Sequence, residues 1–168
     1  MRQEKWILPV LTVVCLAAVA VMIIALVTGG NHIKQTEFSP PPFDAAAQAG
    51  VPTVPDGLGF GEIDAQAYKF SVCGAVQLKN GQADVYFTNP EGNTVWLKLR
   101  VLDESGNTLG ETGLIRPGEY VQSVAIGDSP ADGAAIQLKV MAYEPDTYRS
   151  AGSVTLNCFL KRNNAELK

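Results

Sequence analysis

Residues 85–101 read VYFTNPEGNTVWLKLRV, two alternating runs on either side of Asn89-Pro90-Glu91-Gly92-Asn93. Val85 and Phe87 share one parity in the first run, and Val95, Leu97, Leu99 and Val101 share one in the second. Successive side chains of a strand point to opposite faces, so each run reads as a strand with one buried and one wet face. Two arrangements are open. As a hairpin, the runs would oppose Tyr86 to Trp96, Asp84 to Lys98 and Thr88 to Thr94, and such cross-strand pairs contribute about 0.2–1 kcal/mol each. As members of different layers of a sandwich, they would keep Tyr86 and Trp96 apart. A sandwich needs a crossing of this kind, which favours the second arrangement. In both, Tyr86 and Trp96 face outward and form the candidate binding surface, because a large aromatic with a polar handle stacks on a sugar or anchors a protein partner. The competing reading is that residues 51–65, or Met141 and Tyr143, cover Trp96.

The period of two extends in both directions. Candidate strands are residues 69–79, 82–88, 94–103, 108–115, 120–126, 135–143 and 153–160, each bounded by turn residues. Asn80-Gly81 is the strongest hairpin signal, since both central residues of a type I′ turn need positive φ. Val124, Ile126, Ile136, Leu138, Val140, Val154, Leu156 and Leu160 extend the inward set. About seven such strands argue for an all-β, antiparallel sandwich over residues 67–162, with 163–168 as a flexible tail.

Residues 6–28 carry no charged side chain. As a helix they would be about 35 Å long, enough for a hydrocarbon core of about 30 Å. A cleaved signal peptide would have a shorter apolar region and a small-x-small site, which residues 26–30 do not supply. The expectation is one transmembrane helix over 6–28. Arg2 and Lys5 place residues 1–5 in the cytoplasm, giving a single-pass cell-membrane protein with its domain outside and the lipid bilayer as a partner. Residues 29–66, with Ser39-Pro40-Pro41-Pro42 and an Ala-rich run, read as a Pro-rich tether. Its outer part, 51–65, contains Leu58, Phe60 and Ile63 and is expected to be partly ordered.

Several functions are disfavoured. The chain has one histidine, His32, on the expected tether, so a histidine-based triad or metal site has no imidazole in the domain. No enzyme motif, cofactor motif or metal-ligand spacing stands out, and the expectation is a non-enzyme. The net charge is −4 with no basic cluster, which argues against nucleic acid. Asp103, Glu104 and Asn107 share a loop, but that spacing suits a turn better than calcium. Of three cysteines, Cys15 lies in the apolar stretch, leaving Cys73 and Cys158 as a disulfide candidate. Closing a loop of about 86 residues would stabilise the fold by roughly 4–5 kcal/mol in a chain-entropy model. Against it, Cys158 shares parity with Val154 and Leu156, whereas Cys73 is out of phase with Val76 and Leu78. A bulge at Gly74 would reset the phase; two buried thiols are the alternative.

ADVYFTNPEGNTVWLKLRV followed by LDESGNTLGETGLIRPGEY resembles the small, membrane-anchored Ig-like sandwich domains on the surface of Gram-positive bacteria. The resemblance covers roughly residues 68–160 and implies an Ig-like fold, with Asn89-Pro90 and Pro117-Gly118 as turns. It implies no site, because such domains commonly have no assigned role. The expected function is an interaction module that meets a cell-surface protein or glycan. The alternative is a structural subunit of an envelope assembly, such as a secretion or conjugation apparatus.

Overall fold

The structure is a computed structural model that describes residues 12–13, 15–23, 38–127 and 130–162. The chain forms two compact units, Met1–Ser39 and Pro40–Lys168. In the first, residues 12–13 and 15–23 are helical. No helix among the described residues is long and apolar enough to cross a membrane. This overturns the expected transmembrane helix over 6–28, the single-pass membrane address and the bilayer as a partner, since a span needs about 20 consecutive helical residues. The rest of 6–28, residues 1–5, tether residues 29–37 and the tail 163–168 lie outside the described residues.

The second unit is built from strands: β1 (Gln48–Ala49), β2 (Phe60–Asp64), β3 (Lys69–Cys73), β4 (Ala75–Lys79), β5 (Gln82–Asn89), β6 (Trp96–Asp103), β7 (Thr108–Glu111), β8 (Glu119–Ala125), β9 (Ala135–Tyr143) and β10 (Ser150–Arg162). They form one sheet in the order β1-β8-β5-β4-β10-β9-β6-β7, with β2 on β3 and β3 touching β5 at Ser71 and Thr88. The fold is therefore a single sheet curled into a half-barrel, not the expected Ig-like sandwich of two sheets. The cause lies in β10. It pairs antiparallel with β9 over most of its length, while Phe159–Arg162 run parallel to β4. One long strand thus joins what would otherwise be two sheets.

The curl brings β7 back towards β8, its neighbour in the chain. Gly127 N donates to Leu109 O at 3.1 Å. A Cβ on Gly110 would collide with the Ala125 carbonyl oxygen, so only glycine permits this seam.

The alternating pattern accounts for the core. Val85, Phe87, Leu97, Leu99, Val101, Ile136, Leu138, Val140 and Leu160 are buried in one cluster, with Val154 and Leu156 packed at its margin. Full burial of such a side chain contributes about 1.5–3 kcal/mol. The 80–81 turn forms with Asn80 at φ 50° and Gly81 at φ 73°, joining Lys79 to Gln82. The strand expected over 69–79 divides at Gly74, whose N donates to Gly59 O at 3.2 Å.

Strands β5 and β6 do not pair: β5 lies beside β4 and β8, and β6 beside β9 and β7. The residues between them lock the crossing. Asn89, fully buried, donates through Nδ2 to Val95 O at 2.9 Å and Ile115 O at 3.1 Å. Its Oδ1 accepts from Asn93 Nδ2 at 2.6 Å. Asn93 in turn accepts from Lys69 N at 3.0 Å and donates to Lys69 O at 2.6 Å. A buried amide must satisfy its donors and acceptor, and here doing so ties three segments together.

Residues 42–66, expected as tether, lie along the domain. Phe43 bridges Leu114, β1 pairs with β8, and β2 forms a hairpin with β3.

Candidate functional site

The two outward aromatics have different surroundings. Tyr86 sits at an irregularity in the β5–β8 register, with φ 49°. It is only 6% exposed and packs with Leu58 and Cys73, flanked by Val54 and Phe60. Its hydroxyl accepts from Gln122 Nε2 at 3.4 Å. Tyr86 is therefore sealed beneath residues 54–60 and belongs to no open surface.

Trp96 opens β6 and stands opposite Tyr143 of β9. It is half-buried. Phe43 meets it edge-on, with centroids 4.9 Å apart and planes at 78°. Tyr148 meets it from another direction at 5.2 Å and 59°. These are ordinary contact distances for tilted aromatic pairs, so the rings form a packed ridge and not a cage around a cation. The Arg116 guanidinium lies 3.6 Å over the Phe43 ring and is held by Glu119, Nη1 to Oε1 at 3.4 Å. Such a contact is worth about 0.5–1 kcal/mol at an exposed site.

The loop carrying Tyr148 is strained. Asp146 has φ 63° and Tyr148 φ 55°, a left-handed region that costs L-residues roughly 1–2 kcal/mol. Tyr148 N donates to Glu144 O at 3.0 Å and Glu144 N to Arg149 O at 2.8 Å, which closes the loop. Arg149 pairs with Glu144 at 3.2 Å on the exposed rim.

Cys73 and Cys158 are free, buried thiols, the alternative left open beside the disulfide candidate. Cys158 lies in the main core, whereas Cys73 lies in the separate cluster with Tyr86 and Leu58. The break at Gly74 leaves Phe70, Val72, Val76 and Leu78 on one side and Cys73 on the other. Burial pushes the Cys73 thiol up to about 11, helped by the nearby Asp84 charge, so it is a weak nucleophile at neutral pH. Burial raises Cys158 too. It also raises Asp84, and the Lys79 charge opposes that shift.

The remaining polar clusters serve the fold. Lys98, whose side chain is 10% exposed, pairs with Glu111 at 2.7 Å, and Arg100 pairs with the same carboxylate at 2.9 Å. Burial acts to raise Glu111, but hydrogen bonds and charge from Lys98 and Arg100 outweigh it and hold it low. Asp103 accepts from Asn107 N at 2.7 Å and Nδ2 at 2.8 Å, so the 103–107 loop satisfies itself as a turn. Among the described residues, no group of three or more His, Cys, Asp or Glu could hold a metal ion. A groove of about 390 Å³ runs along Gly50, Val51, Thr88, Pro90, Glu91 and Pro117, with Glu91 its only titratable lining.

Phe43 and Arg116 were not legible as site residues, and Tyr148 only as a member of the loop between the expected strands 135–143 and 153–160. Arg116 and Tyr148 lie in irregular loops and Phe43 in the expected tether, where no period assigns a face. The available signal was Phe43 itself, a large aromatic directly after Pro40-Pro41-Pro42.

No protein-family model matches the chain, and no curated protein matches it. Among solved structures, CopC from Methylosinus trichosporium OB3b is similar with a TM-score of 0.36 and 14% identity, over 62% of this chain and 95% of that one. Ruminococcus gnavus beta-glucuronidase in complex with uronic isofagomine is similar with a TM-score of 0.37 and 18% identity, over 54% of this chain and 14% of that one. Neither likeness extends to a site or an activity of this chain.

Proposed function

We infer that the β domain is a non-catalytic binding module and that its contact surface is the ridge of Phe43, Trp96 and Tyr148, rimmed by Arg116, Glu144 and Arg149. The partner class is a protein or glycan surface. One observation carries the reading: the 144–149 loop holds Tyr148 at an unfavourable φ of 55° with its ring against Trp96. Local strain of this kind concentrates where binding needs a preset geometry. A half-buried tryptophan packed against Phe43 and Tyr148, with Arg116 over Phe43, is also the composition of an interface anchor. Among the described residues, the Lys98–Glu111–Arg100 and Asp103–Asn107 clusters are closed on themselves.

The test compares the full chain with its Trp96→Ala variant on an oligosaccharide array and against cell-surface protein extracts. The expected result is a component that the native chain retains and the variant binds at least tenfold more weakly, with circular dichroism unchanged. A component held equally by both would remove the ridge as the contact surface.

A further inference from the structure

The segment 42–50 is held to the domain by main-chain bonds and very little burial. Leu114 N donates to Pro42 O at 2.9 Å, Asp44 N to Leu114 O at 2.8 Å, and Gly50 N to Gly118 O at 2.8 Å. The Asp44 carboxylate accepts from Gly113 N at 2.7 Å. Gln48 and Ala49 pair with Tyr120 and Glu119. Yet no residue from 38 to 51 is fully buried; Phe43 and Ala47 are only half-buried, and the first buried residue is Pro52.

The slot that receives this arm is narrow and specific. At Gly113 a Cβ would come within 2.5 Å of Asp44 N and 2.7 Å of Asp44 Cα, so two backbones pass with no room for a side chain.

The arm folds back on its own domain by virtue of one residue. Gly50 has φ 104°, and a Cβ there would meet nothing within 4 Å. The position therefore demands a backbone angle and no space. Val51, next to it, is 80% exposed and precedes Pro52, which biases it towards extended backbone. If Gly50 straightens, the arm points away and its slot lies open.

The geometry points to residues 42–50 as an exchangeable strand, with the slot between Gly113-Leu114 and β8 accepting the same segment from a second copy of the chain. The occupant follows from the slot, because every bond that holds the arm within one chain can form identically between two. Exchange is reciprocal and closes as a two-fold dimer. Each copy's Phe43 then rests on the other copy's Trp96, so the aromatic ridge is completed across the dimer.

The test uses the full chain in size-exclusion chromatography with light scattering, from micromolar to millimolar concentration. Gly50→Val penalises the folded-back arm at a position where a Cβ meets nothing within 4 Å, and should raise the dimerisation constant on the order of tenfold per hinge. Gly113→Ala, which blocks the slot for either copy's arm, should abolish the dimer. A Gly50→Val chain that stays monomeric overturns the proposal, whether its arm is docked or loose. So does a dimer that survives Gly113→Ala. Loss of ligand binding in Trp96→Ala leaves these outcomes unmoved, so the two readings fail separately.

Discussion

Tyr86 and Trp96 begin as equals, each on the outward face of its strand, and the segment before β3 treats them differently. Residues 54–60 seal Tyr86 with Leu58, leaving it 6% exposed beside Cys73. Further back along the same segment, Phe43 covers only part of Trp96, and Arg116 rather than another apolar side chain backs Phe43. A leucine inserted among apolar neighbours makes a second small core. A phenylalanine under a guanidinium makes a rim that stays accessible to solvent and partners.

The largest test of that contrast is Leu58→Ala. It should destabilise the domain by about 2–5 kcal/mol, the usual range for a buried leucine, and should render Cys73 reactive towards a thiol reagent under native conditions. Unchanged reactivity would mean that residues 54–60 are not the seal.

Alkaline pH probes the same patch. A thiol whose pKa is raised on folding from about 9 to about 11 contributes stability that is complete below pH 9 and lost as pH rises to 11. Melting curves of the native chain should fall over that window by ~1–2 kcal/mol more than those of Cys73→Ala. Equal slopes would place Cys73 in contact with water.

Phe43→Ala tests the looser cover. Its expected cost is about 1 kcal/mol, in line with one aromatic pair and one exposed cation–π contact, and Trp96 emission should shift to the red. A loss as large as that of Leu58→Ala would erase the distinction between the two covers.

The smallest effect is expected from Asp84→Asn. Burial raises the Asp84 carboxyl, so its ionisation on going to neutral pH weakens the fold. The amide should therefore stabilise at pH 7 by less than about 1 kcal/mol, with the gain vanishing in acid. Measured destabilisation at neutral pH would show that Lys79 outweighs burial.

These comparisons also mark what was readable in the chain. Inward positions such as Val85, Leu97, Leu138 and Leu160 were legible because a period of two assigns each residue a face with no knowledge of its neighbours. So was the 80–81 turn, which needs only local backbone angles. The joining of layers by β10 was not, since parity cannot say that Phe159 lies parallel to Ala75 on one side and antiparallel to Ala135 on the other. The apolar stretch 6–28 has the composition of a span, but among the described residues no helix is long and apolar enough to cross a membrane. For the site, Trp96 was readable as an outward aromatic. Its companions Phe43 and Tyr148 were not, because they reach it from an expected tether and a strained loop.

The placement of β10 has a consequence for biosynthesis. Strands β8, β5 and β4 form one block and β9, β6 and β7 another, and β10 is the strand hydrogen-bonded to both β4 and β9. During translation both blocks emerge with open edges beside their core, and the sheet becomes continuous only after Ser150–Arg162 has left the ribosome. Pairings so distant in sequence are slow to form, and exposed edges are vulnerable to aggregation while they wait. Nascent chains stalled before residue 150 should therefore remain protease-sensitive, whereas those stalled far enough beyond 162 for β10 to emerge should become resistant in a single step.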